Sequence, residues 1–435
     1  MDNIKLNLSN LFVSFLTIRI DSLKSFLKYF FALITVHVLV VYYIKNLMGV
    51  SINDPIYVMI KMWKEIVLCG FLAIYLVKYL SENKTIKIQL IDLSIIVFVL
   101  LGLIYIVVAP NKATALWSFR SLFEIFGFYM LGRMFSLRIE QLNKFLYVLV
   151  IMGCVTSIFG VIQVQFLGAD FFSEVYGVDK VAVAMTSFGY EKLRASSTFI
   201  TPHEFGLYLI LCFMFASYLY KMNRLTRQVF FLIISLLLVG LLFSLSRSSI
   251  VILIICSGLY WVNDLKKLFL FSIVCFFGAV VFVLMGAIEN IVSVVQGTDP
   301  SSMGRFRVFD EFMLHLMEYP FGSGMGTVGV VVRRFIPTAP QFEGELFNLI
   351  AMTSVVGGII YLSILVMVLF KLLKRNASSM FIPEQYLKMV GVIVIALLLR
   401  DLILPRDFTN YAIGWFLVGS TISFLRQFSS IRKDI

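Results

Sequence analysis

Apolar runs of membrane-spanning length alternate along the chain with short polar breaks. The runs fall at about 27–48, 57–80, 89–109, 114–134, 145–167, 204–220, 228–245, 248–263, 268–287, 346–370, 387–404 and 408–425. At roughly 21 residues each, twelve spans take about 250 residues. The pattern predicts an all-α polytopic integral membrane protein with about twelve transmembrane helices. The sixth run is short. Only Ser246-Arg247-Ser248 separates the seventh from the eighth, which predicts a tight helical hairpin.

Two polar interruptions are longer than turns, at about 168–203 and 288–345. In the second, Phe306, Phe309, Phe312, Met313, Leu316 and Met317 repeat at three- and four-residue spacing, the pattern of an amphipathic helix. Pro320 stops that helix, and Gly322-Ser-Gly-Met-Gly326 reads as a flexible turn. The expected organisation starts with a cytoplasmic segment at 1–26. Spans one to nine follow over 27–287, with an extracytoplasmic loop at 168–203. A large extracytoplasmic cap covers 288–345, its helix lying on the membrane surface. Spans ten to twelve occupy 346–425, and a cytoplasmic tail 426–435.

Composition agrees with this reading. Of 435 residues 60% are apolar and 14% charged, and the mean hydropathy is +0.95. Such a chain has too few polar residues to cover its surface in water, which excludes a soluble multidomain enzyme. It is too apolar for disorder. The net charge of +12 would raise the question of nucleic acid in a soluble protein. Here its distribution gives a different answer, and no nucleic-acid partner is expected. With the N-terminus inside, 22 of the 37 cations fall on the inner segments, and every short inner connection is basic. Twelve spans with both ends cytoplasmic follow. The start is polar and basic and has no small-residue cleavage site, so no cleavable signal peptide is expected. The five cysteines lie in apolar segments without paired spacing and read as packing residues. The three histidines show no metal-ligand spacing.

The other fifteen cations lie at the outer face or inside spans. Arg120 and Glu124 are four apart on one face of the fourth span. They form either a functional pair at membrane depth or a structural ion pair between helices. Lys61, Lys64 and Glu65, near the outer end of the second span, are placed to snorkel to the interface. Most of the rest are arginines on the outer face: Arg194, Arg247, Arg305, Arg307, Arg333, Arg334, Arg400 and Arg406. The planar guanidinium fork suits bidentate recognition of phosphate, so their convergence would build a site for a lipid diphosphate. Glu343 and Glu345, just before the tenth span, are either a general base beside that site or complements to a helix dipole.

At these residues the chain resembles the O-antigen ligase and O-antigen polymerase superfamily of bacterial membrane glycosyltransferases, over roughly residues 113 to 370. Arg194-Ala-Ser-Ser-Thr-Phe-Ile-Thr-Pro202-His-Glu-Phe-Gly206 is similar to that family's arginine, aromatic, proline and glycine at the start of a span. Phe243-Ser-Leu-Ser246-Arg247-Ser248 is similar to its Ser-Arg-Ser turn. Gly304-Arg305-Phe-Arg-Val-Phe309, with Tyr319-Pro320 and the glycines to Gly326, is similar to its large loop. Glu343-Gly-Glu345-Leu-Phe-Asn348, ending at Gly357, is similar to a segment that in ligases starts His-Asn and carries Gly eleven and fourteen residues on. Polymerases often carry Glu in place of that His, as Glu343 does here. Gly344 stands for the usual Asn and Ser354 for the first Gly, which leaves both Glu343 and Glu345 open as the working carboxylate.

The resemblance implies a GT-C-like fold and a metal-independent, cofactor-free, inverting transfer at the outer face of the bacterial cytoplasmic membrane. The donor it implies is an oligosaccharide on undecaprenyl diphosphate, and the residues expected to hold that diphosphate are Arg194, Arg247 and Arg305, with Arg120 or Arg400 as helpers. The acceptor is a lipid-linked repeat unit of an O-antigen or capsule type of polysaccharide, with a chain-length regulator as protein partner and membrane lipid around the bundle. Tyr190, Phe205, Phe335 and Phe342 are the candidate sugar-facing rings, by position alone. A ligase transferring to lipid A core is the nearest alternative. A transporter or flippase of lipid-linked oligosaccharide is the alternative of another class, though residues 1–210 and 211–435 show no repeated halves.

Overall fold

The computed structural model describes residues 25–49, 55–81, 88–135, 137–176, 193–262, 300–333, 335–373, 383–404 and 406–431. Among the described residues every regular element is a helix. The first are α1 (Ser25–Thr35), α2 (His37–Met48), α3 (Pro55–Lys61), α4 (Trp63–Ser81), α5 (Leu90–Val108) and α6 (Lys112–Met134). Next comes α7 (Ile139–Ile162), which runs through a π-helical turn at Gln163–Leu167 into α8 (Gly168–Tyr176). Then follow α9 (Pro202–Lys221), α10 (Arg227–Ser244), α11 (Arg247–Trp261), α12 (Pro300–Glu318) and the single turn α13 (Val330–Arg333). The chain closes with α14 (Glu345–Leu373), α15 (Glu384–Ile403) and α16 (Phe408–Ile431).

Five of these are long and apolar enough to cross a membrane: α5, α9, α10, α14 and the run Ile139–Phe171. Helices of comparable length, α6, α15 and α16, stand at the expected fourth, eleventh and twelfth spans. α10 ends at Ser244 and α11 begins at Arg247, as the short break predicts, but the two do not pair as a tight hairpin: α10 packs on α7 and α9, and α11 on α9 and α15. The expected first span is a bent pair, with α1 and α2 at 76°. The expected second span is two helices, divided at Met62. The expected ninth span, 268–287, lies outside the described residues, as does 177–192 of the first long loop.

The centre of the bundle is α9. It is apolar on all sides and buried along most of its length, as a helix without a polar face must be. Thr201 starts it, its hydroxyl accepting from the Glu204 N–H at 3.2 Å, with Pro202 in the first turn. Beside it, α6 and α16 pack backbone to backbone. A Cβ at Gly132 would strike the Phe416 carbonyl, and one at Gly419 the Tyr129 carbonyl. Small residues allow this approach in membrane bundles.

One break organises the outer loop. Ser354 interrupts α14 with φ 67° and ψ 175°, a conformation almost confined to glycine. The interruption deprives the carbonyls of Ala351 and Met352 of their helical donors. The glycine turn supplies them: the Ser323 and Gly324 N–H groups donate at 2.9 and 3.1 Å. Met325 N–H donates to Tyr105 O near the end of α5 at 3.1 Å. The turn is therefore docked into the break rather than free. Gly322 is required there, because its φ is +85° and a Cβ would lie 2.7 Å from Met352 O. The Ser354 hydroxyl accepts from the Val356 N–H at 3.2 Å and caps the second half of α14. Ser354→Gly removes a strain of about 1–3 kcal/mol and loses a few tenths in capping, so it should raise stability by about 1 kcal/mol. Ser354→Ala keeps the strain and loses the cap, and should lower stability by about 1 kcal/mol. Thermal unfolding of the detergent-solubilised variants checks the order Gly, Ser, Ala.

Candidate functional site

Among the described residues the starts of α9, α11, α14 and α16 and the ends of α10 and α15 come together at one end of the bundle. Ala195 N–H donates to Phe243 O at 2.9 Å, joining the segment before α9 to the end of α10. The His203 imidazole lies 2.9 Å from the Ser246 hydroxyl, joining the starts of α9 and α11. The Asn410 amide donates to Glu204 O at 2.9 Å, bringing the start of α16 to the start of α9. Glu345 N–H donates to Leu404 O at 3.3 Å, setting the start of α14 against the end of α15. Helix N-termini carry positive partial charge and unpaired N–H groups, and helix C-termini the reverse, so the starts of α9, α11, α14 and α16 are the parts of this end that suit an anion.

Arg194 and Arg247 meet at this end. Arg194 is 5% exposed, and its Nε donates to Ser244 O at 3.2 Å. Burial, and then the nearby Arg247 charge, push its guanidinium down to about 10, so it stays cationic near neutral pH. Arg247 opens α11 and is exposed. The segment carrying Arg194 is held from behind. The Gln163 side-chain oxygen, in the π turn, accepts from the N–H groups of Ser196 and Ser197 at 3.2 and 2.7 Å. The extra residue of a π turn aims a side chain that a regular helix would direct elsewhere.

Arg400 and Glu345 form the second group. Arg400 is 3% exposed, and its charge acts on both Glu345 and Asp407. Its Nε and Nη1, with Asp407 Oδ2 and Asn410 Oδ1, are buried polar atoms without a hydrogen-bond partner among the described residues. Burial raises the Asp407 carboxyl above the usual carboxylate range, against the pull of Arg400. Glu345 accepts from the Arg406 N–H at 3.3 Å and so belongs to the charged layer under the surface. Glu343 differs. It is exposed and lines a cavity of about 220 Å³ with Phe309, Phe312, Phe342 and Phe347. Asn348 shapes the segment: its Oδ1 accepts from Phe342 N–H at 3.1 Å, and its Nδ2 donates to the Phe342 and Gly344 carbonyls at 3.0 and 3.1 Å. Gly344 stands where the resembled family has Asn because its backbone lies on α15. A Cβ there would meet Leu402 O at 2.6 Å.

Arg120 belongs to a third group, and its charge is matched by carboxylates. It pairs with Glu65 of α4 and, at 3.7 Å, with Glu124. Lys64 does not snorkel. It is 7% exposed, 3.7 Å from Glu65, and its ammonium sits 3.1 Å from the centre of the Phe408 ring. Lys61 is exposed. Arg305 lies on α12, and its side chain is outside the described residues, as is Tyr190. Phe205 is fully buried and cannot face a sugar. Phe335 is exposed beside Trp117, at 6.2 Å between ring centres. Phe342 does line the Glu343 cavity.

Sequence reading missed Asp401 and the part Arg406 plays. Arg406 donates to Asp401 through Nε at 3.2 Å and Nη2 at 3.0 Å, in a pair 4% and 0% exposed. The signal was available, since Arg400-Asp401 and Arg406-Asp407 repeat an Arg-Asp step inside an apolar stretch. Asp401→Ala leaves Arg406 buried without its counter-charge and should cost about 3–5 kcal/mol. Arg307→Ala, in an exposed pair with Glu311 at 3.1 Å, should change stability by less than about 1 kcal/mol. Thermal unfolding of the two variants reads the difference. Compared with protein-family models, with curated proteins and with solved structures, the chain matches none.

Proposed function

We propose that the chain is a polysaccharide polymerase of the O-antigen or capsule type, a twelve-span, GT-C-like enzyme of the bacterial cytoplasmic membrane with both termini inside. It would transfer a glycan from undecaprenyl diphosphate to a lipid-linked repeat unit at the outer face. The observation that carries this reading is the meeting of Arg194 and Arg247 at the bundle end where the starts of α9, α11, α14 and α16 come together, with Glu343 exposed in an aromatic-lined cavity at the start of α14.

The chemistry follows from those parts. The donor diphosphate docks on Arg194 and Arg247, with Arg305 from α12 and Arg400 adding charge. The acceptor hydroxyl attacks C1 of the donor sugar from the face opposite the diphosphate. The C1–O bond breaks, its electron pair leaves on the diphosphate, and the arginines stabilise that charge as it grows. The hydroxyl proton passes to Glu343, and the product is inverted at C1. Glu343 is preferred over Glu345 because it is exposed and lines the aromatic cavity, which Glu345 does not. Aromatic rings beside a carboxylate also suit a sugar, whose C–H faces pack on rings. Glu rather than His at position 343 favours a polymerase over a ligase.

A complementation assay tests the assignment. Arg194→Ala, Arg247→Ala and Arg305→Ala should each lower polymer formation by about 10²-fold or more. Glu343→Gln should lower it by about 10²–10⁴-fold. Arg307→Ala should leave it intact. Long-chain polysaccharide of unchanged length distribution in all four site variants would refute the assignment.

A further inference from the structure

The opposite end of the bundle holds a second pocket, of about 400 Å³, between α1, α7 and α9. It is far from Arg194 and Arg247. The 20 residues of α9 separate Pro202 from Lys221 by about 30 Å, the thickness of a bilayer core. Lys28, Lys144 and Arg224 line it against one carboxylate, Glu140. Among the described residues none of the three cations makes an ion pair. Asn143 adds a donor. It is 8% exposed, its Oδ1 accepts from the Tyr218 hydroxyl at 3.1 Å, and its Nδ2 is buried without a hydrogen-bond partner among the described residues.

We propose that this pocket binds the phosphate of an anionic lipid headgroup in the leaflet opposite the arginine end. Three cations and an amide donor fit a phosphate. Lipid is favoured over free phosphate because the pocket opens onto an apolar stripe. Tyr147, at its rim, and Ile151, Val155 and Ile158 are exposed and recur at three- and four-residue spacing along α7, one face on which an acyl chain can lie. Basic pockets between membrane helices take lipid phosphates in this way. The inference does not rest on the proposed enzymatic activity.

Native mass spectrometry of the full chain in detergent tests it, with phosphatidylglycerol, phosphatidylcholine and inorganic phosphate as probes. The wild type should retain phosphatidylglycerol in preference to phosphatidylcholine. The double variant Lys144→Gln/Arg224→Gln should weaken that retention roughly thirtyfold, at about one cation's contribution each. Arg307→Gln should not change it. If the double variant does not fold, Arg224→Gln alone gives the same comparison with a smaller shift. Equal retention of phosphatidylglycerol by folded variant and wild type overturns the proposal. Binding of inorganic phosphate that the variant abolishes, with phosphatidylglycerol retention unaffected, overturns the lipid as its source.

Discussion

The buried pair of Asp401 and Arg406 is the contact on which the arginine end of the bundle depends. In an apolar interior an ionised group is tolerated only when its partners are complete. Asp401 receives both guanidinium contacts from Arg406 and the hydroxyls of Tyr361, from α14, and Tyr411, from α16. Arg406 also donates through Nη1 to Leu122 O of α6 at 3.2 Å, and through its backbone to Glu345. One ion pair thus gathers α6, α14, α15 and α16. Losing either charge leaves the other buried and unpaired, and losing a hydroxyl or carbonyl partner leaves a buried hydrogen-bonding site unfilled, so the pair ties the four helices together. Glu345 and the segment holding Glu343 take their places from it.

The same rule applied to the backbone explains the cap. The break at Ser354 exposes carbonyls that lipid cannot satisfy. The turn after α12 fills that need, and α12 is thereby tied to α14. Phe309 and Phe312 of α12 then stand beside Phe342 and Phe347, and the cavity at Glu343 exists because of that docking. A strained serine in the middle of a helix has a function here that a continuous helix could not serve.

Much of this organisation could be read from residue order. The apolar runs marked the long helices, Ser246-Arg247-Ser248 marked the break between α10 and α11 though not that each packs on other helices, and the Phe and Met spacing before Pro320 marked α12. The Arg120–Glu124 contact followed from helical spacing. Other features were not legible, for one physical reason. Hydropathy records that a segment is buried and not how it bends. The 76° bend after Thr35, where the carbonyl accepts from the Thr198 hydroxyl, and the break at Ser354, filled by the turn after α12, involve partners distant in sequence, and the division at Met62 leaves no mark in hydropathy. Lys64 reads as interfacial because position in a span does not reveal that Glu65 and Phe408 would enclose it. Arg400 and Arg406 looked alike as outer cations. Only packing separates Arg406, spent on Asp401, from Arg400, which keeps two buried donors without a partner among the described residues.

The most direct test of the proposed activity is a purified-protein assay on undecaprenyl-diphosphate-linked repeat units in detergent, with no membrane and no gradient. The account predicts that the lipid-linked glycan lengthens, with one undecaprenyl diphosphate released for each transfer. Glycans of unchanged length there, together with passage of intact lipid-linked repeats across vesicles holding the same protein, would contradict it.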